Sequence, residues 1–204
     1  GLGSLTCLLA AQAQRVVAVE LDQRLIPALQ QVISACTNVE IIQGDILQVN
    51  INEIMKKPGY LVVANIPYYI TSSLIRQLLE TQATPKRMVL TVQSEVARRI
   101  CASPGEMSLL AISVQVYGKP VIAAHIPAGA FYPPPKVDSS VVMVELYPEP
   151  LIDPGLLKPF FTIAKAGFSQ KRKTLRNALS GGMRWSSDET NSLLKTAGID
   201  PQRR

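Results

Sequence analysis

Apolar and polar positions follow two rhythms along the first three quarters of the chain. Residues 15–20 (RVVAVE) form an apolar run of strand length. Asp22 then opens a helix to about Ala35, with Leu25, Ile26, Leu29, Val32 and Ile33 on one face. Residues 38–43 (NVEIIQ) and 59–64 (GYLVVA) are further strand-length runs. Thr71 or Ser72 starts a helix through Leu79, and residues 87–92 (RMVLTV) supply another strand. Short apolar runs separated by helix-period segments predict an α/β fold: a doubly wound, Rossmann-like, mostly parallel sheet with helices on both faces. The rhythm then changes. Residues 120–126 and 139–146 read as two strands with no helix between them, an antiparallel hairpin at one sheet edge. YPEPLIDPG, residues 147–155, reads as a linker, and the pattern beyond it is helical only. The predicted organisation is a body over residues 1–150 and a small helical domain over residues 151–204.

The first residues, Gly1-Leu2-Gly3-Ser4-Leu5-Thr6, are a glycine turn running straight into a helix. In doubly wound sheets such a turn follows the central first strand and holds phosphate- or cofactor-binding backbone. A longer natural N-terminus, carrying that strand, is therefore expected.

Charge changes the picture more than composition does. The 204 residues carry a net +6, and 47% are hydrophobic, enough for a core without disulfides. Cys7, Cys36 and Cys101 are an odd, scattered set, which fits a reducing compartment and a cytoplasmic protein. With His125 as the single histidine, a zinc cluster or a histidine-based triad lacks its residues; His125 is read as structural, and no metal is expected. Residues 1–150 hold 11 Lys/Arg and 11 Asp/Glu, whereas residues 151–204 hold 10 against 4, so the whole excess lies in the tail. A neutral body with a basic appendage suits a polyanion. The tail lacks a bulky aromatic face for membrane insertion, and no apolar run approaches the ~18 residues of a span. Nucleic acid is the partner expected. Lys165, Lys171, Arg172, Lys173 and Arg176, read as one basic helix over 165–176 without an acid, are the candidate phosphate contacts.

Two acids stand where a cofactor would need them. Glu20 ends the first strand-length run, 17 residues after Gly3, where a carboxylate accepts both hydroxyls of a ribose. Asp45, in Gln43-Gly44-Asp45-Ile46, follows the next strand and is placed to accept from an adenine amino group. Gly1, Gly3, Glu20, Asp45 and Ile46 outline a site for an adenosine-bearing cofactor, and both dinucleotides and S-adenosylmethionine fit it.

Asn65-Ile66-Pro67-Tyr68-Tyr69 narrows the choice. Pro67 has a fixed φ and pushes Ile66 toward an extended conformation, so the turn is stiff. The Asn65 amide oxygen and the Ile66 carbonyl are then two neutral acceptors beside the aromatic face of Tyr68, a set suited to the exocyclic amine of a flipped-out purine. Such acceptors stabilise the positive charge an adenine nitrogen gains when a methyl arrives from a sulfonium donor. Holding the reactants in register supplies much of the acceleration, and the product proton leaves to water or through Asn65 without a tuned base. Farther on, Phe131 precedes three consecutive prolines, 133–135, in a stiff loop. A target base is expected between Tyr68 and Phe131, with stacking offsetting part of the cost of flipping it out.

Together these residues resemble the small-subunit (16S) ribosomal RNA adenine N6,N6-dimethyltransferases, a class I S-adenosylmethionine-dependent family. Gly1 to Thr6 is similar to the end of the family's cofactor loop, Glu20-Leu21-Asp22 and Gly44-Asp45 to its ribose and adenine motifs, and Asn65-Ile66-Pro67-Tyr68 to its catalytic tetrapeptide. The segments 93–99 (QSEVARR), 131–140 (FYPPPKVDSS), 168–177 (FSQKRKTLRN) and 198–201 (GIDP) are similar to further signatures, so the likeness spans nearly the whole chain. It implies dimethylation of adenosines in a hairpin loop near the 3′ end of 16S-type rRNA, on a maturing 30S particle, by a monomer. Three readings stand beside it. The first is a 23S rRNA adenine methyltransferase of the macrolide-resistance type, which shares the tetrapeptide. The second is a non-catalytic rRNA-binding assembly factor, and the third, weaker, is a DNA adenine methyltransferase. The triple-proline loop and the basic segment favour the small-subunit branch.

Overall fold

A computed structural model describes residues 1–203 as two compact units, Gly1–Lys56 and Lys57 onward. The first contains α1 (Ser4–Ala10), β1 (Val16–Glu20), α2 (Ile26–Val32), β2 (Val39–Gln43) and α3 (Ile51–Met55). β1 and β2 pair in parallel, with Glu20 opposite Gln43. Gly3 caps α1 at φ 92°, and its carbonyl accepts from Cys7 N–H at 2.9 Å. A Cβ at this position would lie 2.8 Å from Leu29 Cδ1, so both the turn and the packing of α1 require glycine.

The helix expected over 22–35 is shorter and broken. Asp22 does accept from Arg24 N–H, at 3.0 Å, but it caps a single 3-10 turn over Gln23–Leu25. The α-helix proper starts at Ile26, with proline in its first turn, and stops at Val32. Leu29 and Ile33 are buried, whereas Val32 is half exposed, so the predicted apolar face is narrower than the periodicity implies.

The second unit is built on a four-stranded sheet of order β3-β4-β6-β5, comprising β3 (Leu61–Asn65), β4 (Arg87–Gln93), β5 (Gly118–Ile126) and β6 (Ser139–Leu146). β3 and β4 are parallel, while β6 pairs antiparallel with both β4 and β5. The expected antiparallel hairpin is thus present, with β5 at the edge. Met88, Leu90 and Val92 of β4 and Val142 and Val144 of β6 are fully buried, the period-two signature of one sheet face packed into the core. Helices α4 (Thr71–Glu80), α5 (Ser94–Ile100) and α6 (Leu109–Gln115) supply the rest of that core through Leu74, Ile75, Leu78, Ala97, Ile100 and Val114.

Three helices end the chain: α7 (Leu157–Phe168), α8 (Leu175–Met183) and α9 (Ser187–Thr196). Ala166, Leu179 and Leu194 form their small core with Leu175 and Met183. α7 and α8 approach so closely that a Cβ on Gly182 would meet the Ala166 Cβ at 2.5 Å. The segment read as a linker is not loose. Tyr147 N–H donates to Tyr117 O at 2.9 Å and Leu151 N–H to Val116 O at 2.8 Å, while Tyr117 stacks on Phe161 of α7 at 6.3 Å and 9°. These ties place the tail helices in the same compact unit as the four-stranded sheet.

Candidate active site

In the first unit the two candidate cofactor acids stand at the C-terminal ends of neighbouring parallel strands. Glu20 closes β1, and its Oε1 accepts from Asp22 N–H at 2.8 Å. Partial burial pushes the Glu20 carboxyl up. The N–H groups of Asp22 and Leu21 act in the opposite sense and favour its ionised form. Its carboxylate is mostly buried and accepts from backbone N–H groups, an acceptor of the kind a ribose diol needs. Asp45 follows β2, where Gly44 N–H donates back to Glu20 O at 2.9 Å. One Asp45 oxygen accepts from Leu47 N–H at 2.9 Å, which turns the chain into Ile46 and beyond. Gly1 is exposed and Gly3 is buried. A glycine turn and two carboxylates at neighbouring strand ends fit an adenosine-bearing cofactor in chemistry and in strand position.

In the second unit Asn65 ends β3, exposed, in register with Thr91 of β4. Two features fix the turn that follows. Ile66 donates its N–H to Thr91 O at 3.3 Å and buries its side chain to 3% exposure. Pro67, at φ −55° and ψ 128°, leads into a 3-10 turn over Tyr68–Ile70, closed by Ile70 N–H on Pro67 O at 3.1 Å. Tyr68 is half-buried, and its hydroxyl lies 2.7 Å from Ser139 Oγ. Tyr69, next in the chain, is 81% exposed. The sequence pattern anticipates the stiffness of this turn, and the apolar anchor beneath it is Ile66.

Phe131 ends a further 3-10 turn, Ala128–Ala130, with its N–H on Ala128 O at 3.2 Å. Phe131 is half-buried and the adjoining Tyr132 fully exposed. The loop returns to β6 through Asp138, whose Oδ1 accepts from Ala128 N–H at 2.9 Å and whose Oδ2 lies 3.3 Å from His125 Nε2. The Asp138 carbonyl accepts from Ser94 N–H at 3.0 Å, and Ser94 Oγ lies 2.9 Å from Ser140 Oγ. Asp138, Ser139 and Ser94, which the structure ties to the two aromatic segments, are not among the candidate site residues of the sequence. The signal for them is a polar triplet, Asp138-Ser139-Ser140, ahead of the apolar run 141–144 (VVMV), and the structure buries both serines. His125, read as structural, touches Asp138 and Ser94 from the edge strand.

The basic segment departs from expectation. Residues 165–176 are not one helix: α7 stops at Phe168, where Ser169 Oγ donates to Ala166 O at 2.6 Å, and Thr174 Oγ1 caps the start of α8. Side-chain hydrogen bonds to the backbone at Ser169 and Thr174 compete with helix continuation. Lys165 lies on the last turn of α7, Lys171, Arg172 and Lys173 lie exposed in the connection, and Arg176 stands half-buried in the first turn of α8. None of the five is ion-paired among the described residues. Among those residues, too, no group of three or more His, Cys, Asp or Glu is placed to hold a metal, and no helix is long and apolar enough to cross a membrane.

Comparison with known proteins adds to this geometry. A family model described as ribosomal RNA adenine dimethylase matches residues 1–204. Ribosomal RNA small subunit methyltransferase A of Dehalococcoides mccartyi is 47% identical over 206 residues, covering 100% of this chain and 70% of its own length. The protein of that name from Pelotomaculum thermopropionicum is 42% identical, covering 100% and 74%. Among solved structures, a dimethyladenosine transferase from Plasmodium falciparum is similar at a TM-score of 0.79 and 26% identity, covering 98% of this chain and 73% of that one. The 23S rRNA methyltransferase ErmE reaches 0.77 at 24% identity, covering 100% and 81%, a likeness of fold.

Proposed function

This chain belongs to the ribosomal RNA adenine dimethylase family, and from that premise we propose that it methylates the exocyclic amine of adenosines in small-subunit rRNA, to dimethyladenosine, on a maturing small-subunit particle. S-adenosylmethionine, when bound, supplies a methyl group on a cationic sulfur. Glu20 would accept the ribose hydroxyls and Asp45 the adenine amine, Gly1, Gly3 and Ile46 would complete the contacts of the first unit, and Asn65 would be a further cofactor contact. The Asn65 amide oxygen and the Ile66 carbonyl accept the N–H bonds of the target amine and favour a pyramidal nitrogen. With both N–H bonds held, the amine nitrogen would be poised to take the methyl that the bound group would supply, and its extra proton would leave to water. Acceptors aimed at the developing positive charge lower the barrier. Pro67 keeps the acceptors stiff, and Tyr68 and Phe131 stack on the flipped base.

The observation that carries this reading is Asn65, exposed at the end of β3 on a turn immobilised by Ile66, Pro67 and the Tyr68–Ser139 bond. Lys165, Lys171, Arg172, Lys173 and Arg176 bind rRNA phosphates, so residues 151–204 serve as the rRNA-binding domain. Three free cysteines suit the reducing cytoplasm in which ribosomes mature. The test is labelled-methyl transfer from S-adenosylmethionine to under-methylated small subunits, large subunits and naked RNA side by side. Label on adenine N6 of small subunits is the expected result. Label on large subunits alone moves the assignment to the 23S type. No label on any substrate, with the cofactor bound, leaves a non-catalytic binder.

A further inference from the structure

Two consecutive residues at the start of β6 hold the carriers of both aromatic rings. Ser139, fully buried, is 2.7 Å from the Tyr68 hydroxyl. Asp138, its neighbour, accepts at 2.9 Å from Ala128 N–H, the first peptide of the turn that ends on Phe131. The dipeptide is itself tied down. Ser94 N–H donates to Asp138 O at 3.0 Å, and Ser139 pairs with Gln93 of β4 and Ile126 of β5. Tyr68 approaches from the turn after β3, Phe131 from the loop after β5, and the two have no other common support among the bonds described.

We infer that Asp138 and Ser139 are positioning residues that set the spacing between the Tyr68 and Phe131 rings, and thereby the pose of the adenine between them. The inference rests on the proposed function, since only a base held between two rings makes their spacing matter to turnover. A buried serine with no such task needs only a backbone partner, and a loop aspartate needs only water. Here each instead bonds a segment that carries one ring. Because a displacement on the order of 1 Å at a reacting centre can lower a rate by about a hundredfold, loss of either bond is read in kcat.

The experiment measures methyl transfer to under-methylated small subunits, S-adenosylmethionine affinity and thermal melting for Asp138→Ala, Asp138→Asn, Ser139→Ala, Tyr68→Phe and the Ser139→Ala/Tyr68→Phe pair. Asp138→Ala is expected to lower kcat on the order of tenfold to a hundredfold with unchanged cofactor affinity. Asp138→Asn, whose amide oxygen still accepts from Ala128, restores most of the loss. Ser139→Ala and Tyr68→Phe each lower kcat, and the pair is no worse than the more severe single change, because one bond is removed twice. A folded Asp138→Ala with kcat within about twofold of the parent overturns the inference, as does full additivity in the pair. If Asp138→Ala does not fold, Asp138→Asn and the serine–tyrosine cycle decide it by the same criteria. Absence of transfer by the parent chain sinks the proposed function instead, so the two failures are told apart.

Discussion

The turn after β3 and the connection between α7 and α8 are built on opposite terms. In the first, Ile66 is 3% exposed, its N–H is bonded to Thr91 O, and Tyr68 is fastened to a serine 71 residues away. In the second, Lys171, Arg172 and Lys173 project into solvent, and the backbone is held locally, by Lys173 N–H on Gln170 O at 3.0 Å and by the Thr174 cap. The difference follows from the work proposed for each. Moving a methyl onto one nitrogen tolerates errors well under 1 Å. Gathering a polyanion requires only unpaired charge within a screening length of about 8–10 Å.

Asn65→Ala tests the rigid side and carries the largest expected effect. Labelled-methyl transfer should fall at least about a hundredfold, with cofactor affinity nearly intact by calorimetry. Retained turnover would remove the distinction between the two turns. Replacing Lys171, Arg172 and Lys173 together with alanine tests the exposed side. The parent chain should show a log–log salt slope for RNA binding on the order of −3.5 to −4.5, and the triple variant one shallower by about 2 to 3. In turnover, KM should rise by more than kcat falls. A slope that does not change would show that these cations face elsewhere.

The smallest effect concerns the pair of half-buried Asp22 and exposed Arg24. The Arg24 guanidinium holds the Asp22 carboxyl down at about 2. A depressed folded-state value contributes stability above the unfolded value near 4, which is lost as pH falls through about 2. Asp22→Asn should therefore flatten the decline of Tm between pH 4 and pH 2 and leave Tm at pH 7 lowered only slightly. An unaltered acid profile would mean the pair is already dissolved in solution.

Much of the fold could be read from short-range pattern. The strand runs, the Asp22 cap, the helix from Thr71 and the edge hairpin all reflect periodicities and caps that act within a few residues. The family match bears out the resemblance carried by residues 65–68 and 131–140. What local pattern missed is equally specific. The basic run looked like one helix because Lys and Arg favour helices, while Ser169 and Thr174 offered the backbone other partners. Residues 147–155 looked like a free linker because Pro and Gly mark loops, while Tyr147 and Leu151 find backbone partners 30 and 35 positions earlier.

From its sequence alone the chain determined its strand runs, the stiffness at Pro67, the lone histidine and a tail holding all the excess charge, because φ restriction, side-chain period and charge are properties of neighbours along the chain. The tertiary structure alone decided that Ser139 meets Tyr68 and that Asp138 meets Ala128. Those contacts depend on the register of β6 against β4 and β5, and a slip of one residue would turn Ser139 to the opposite face of the sheet.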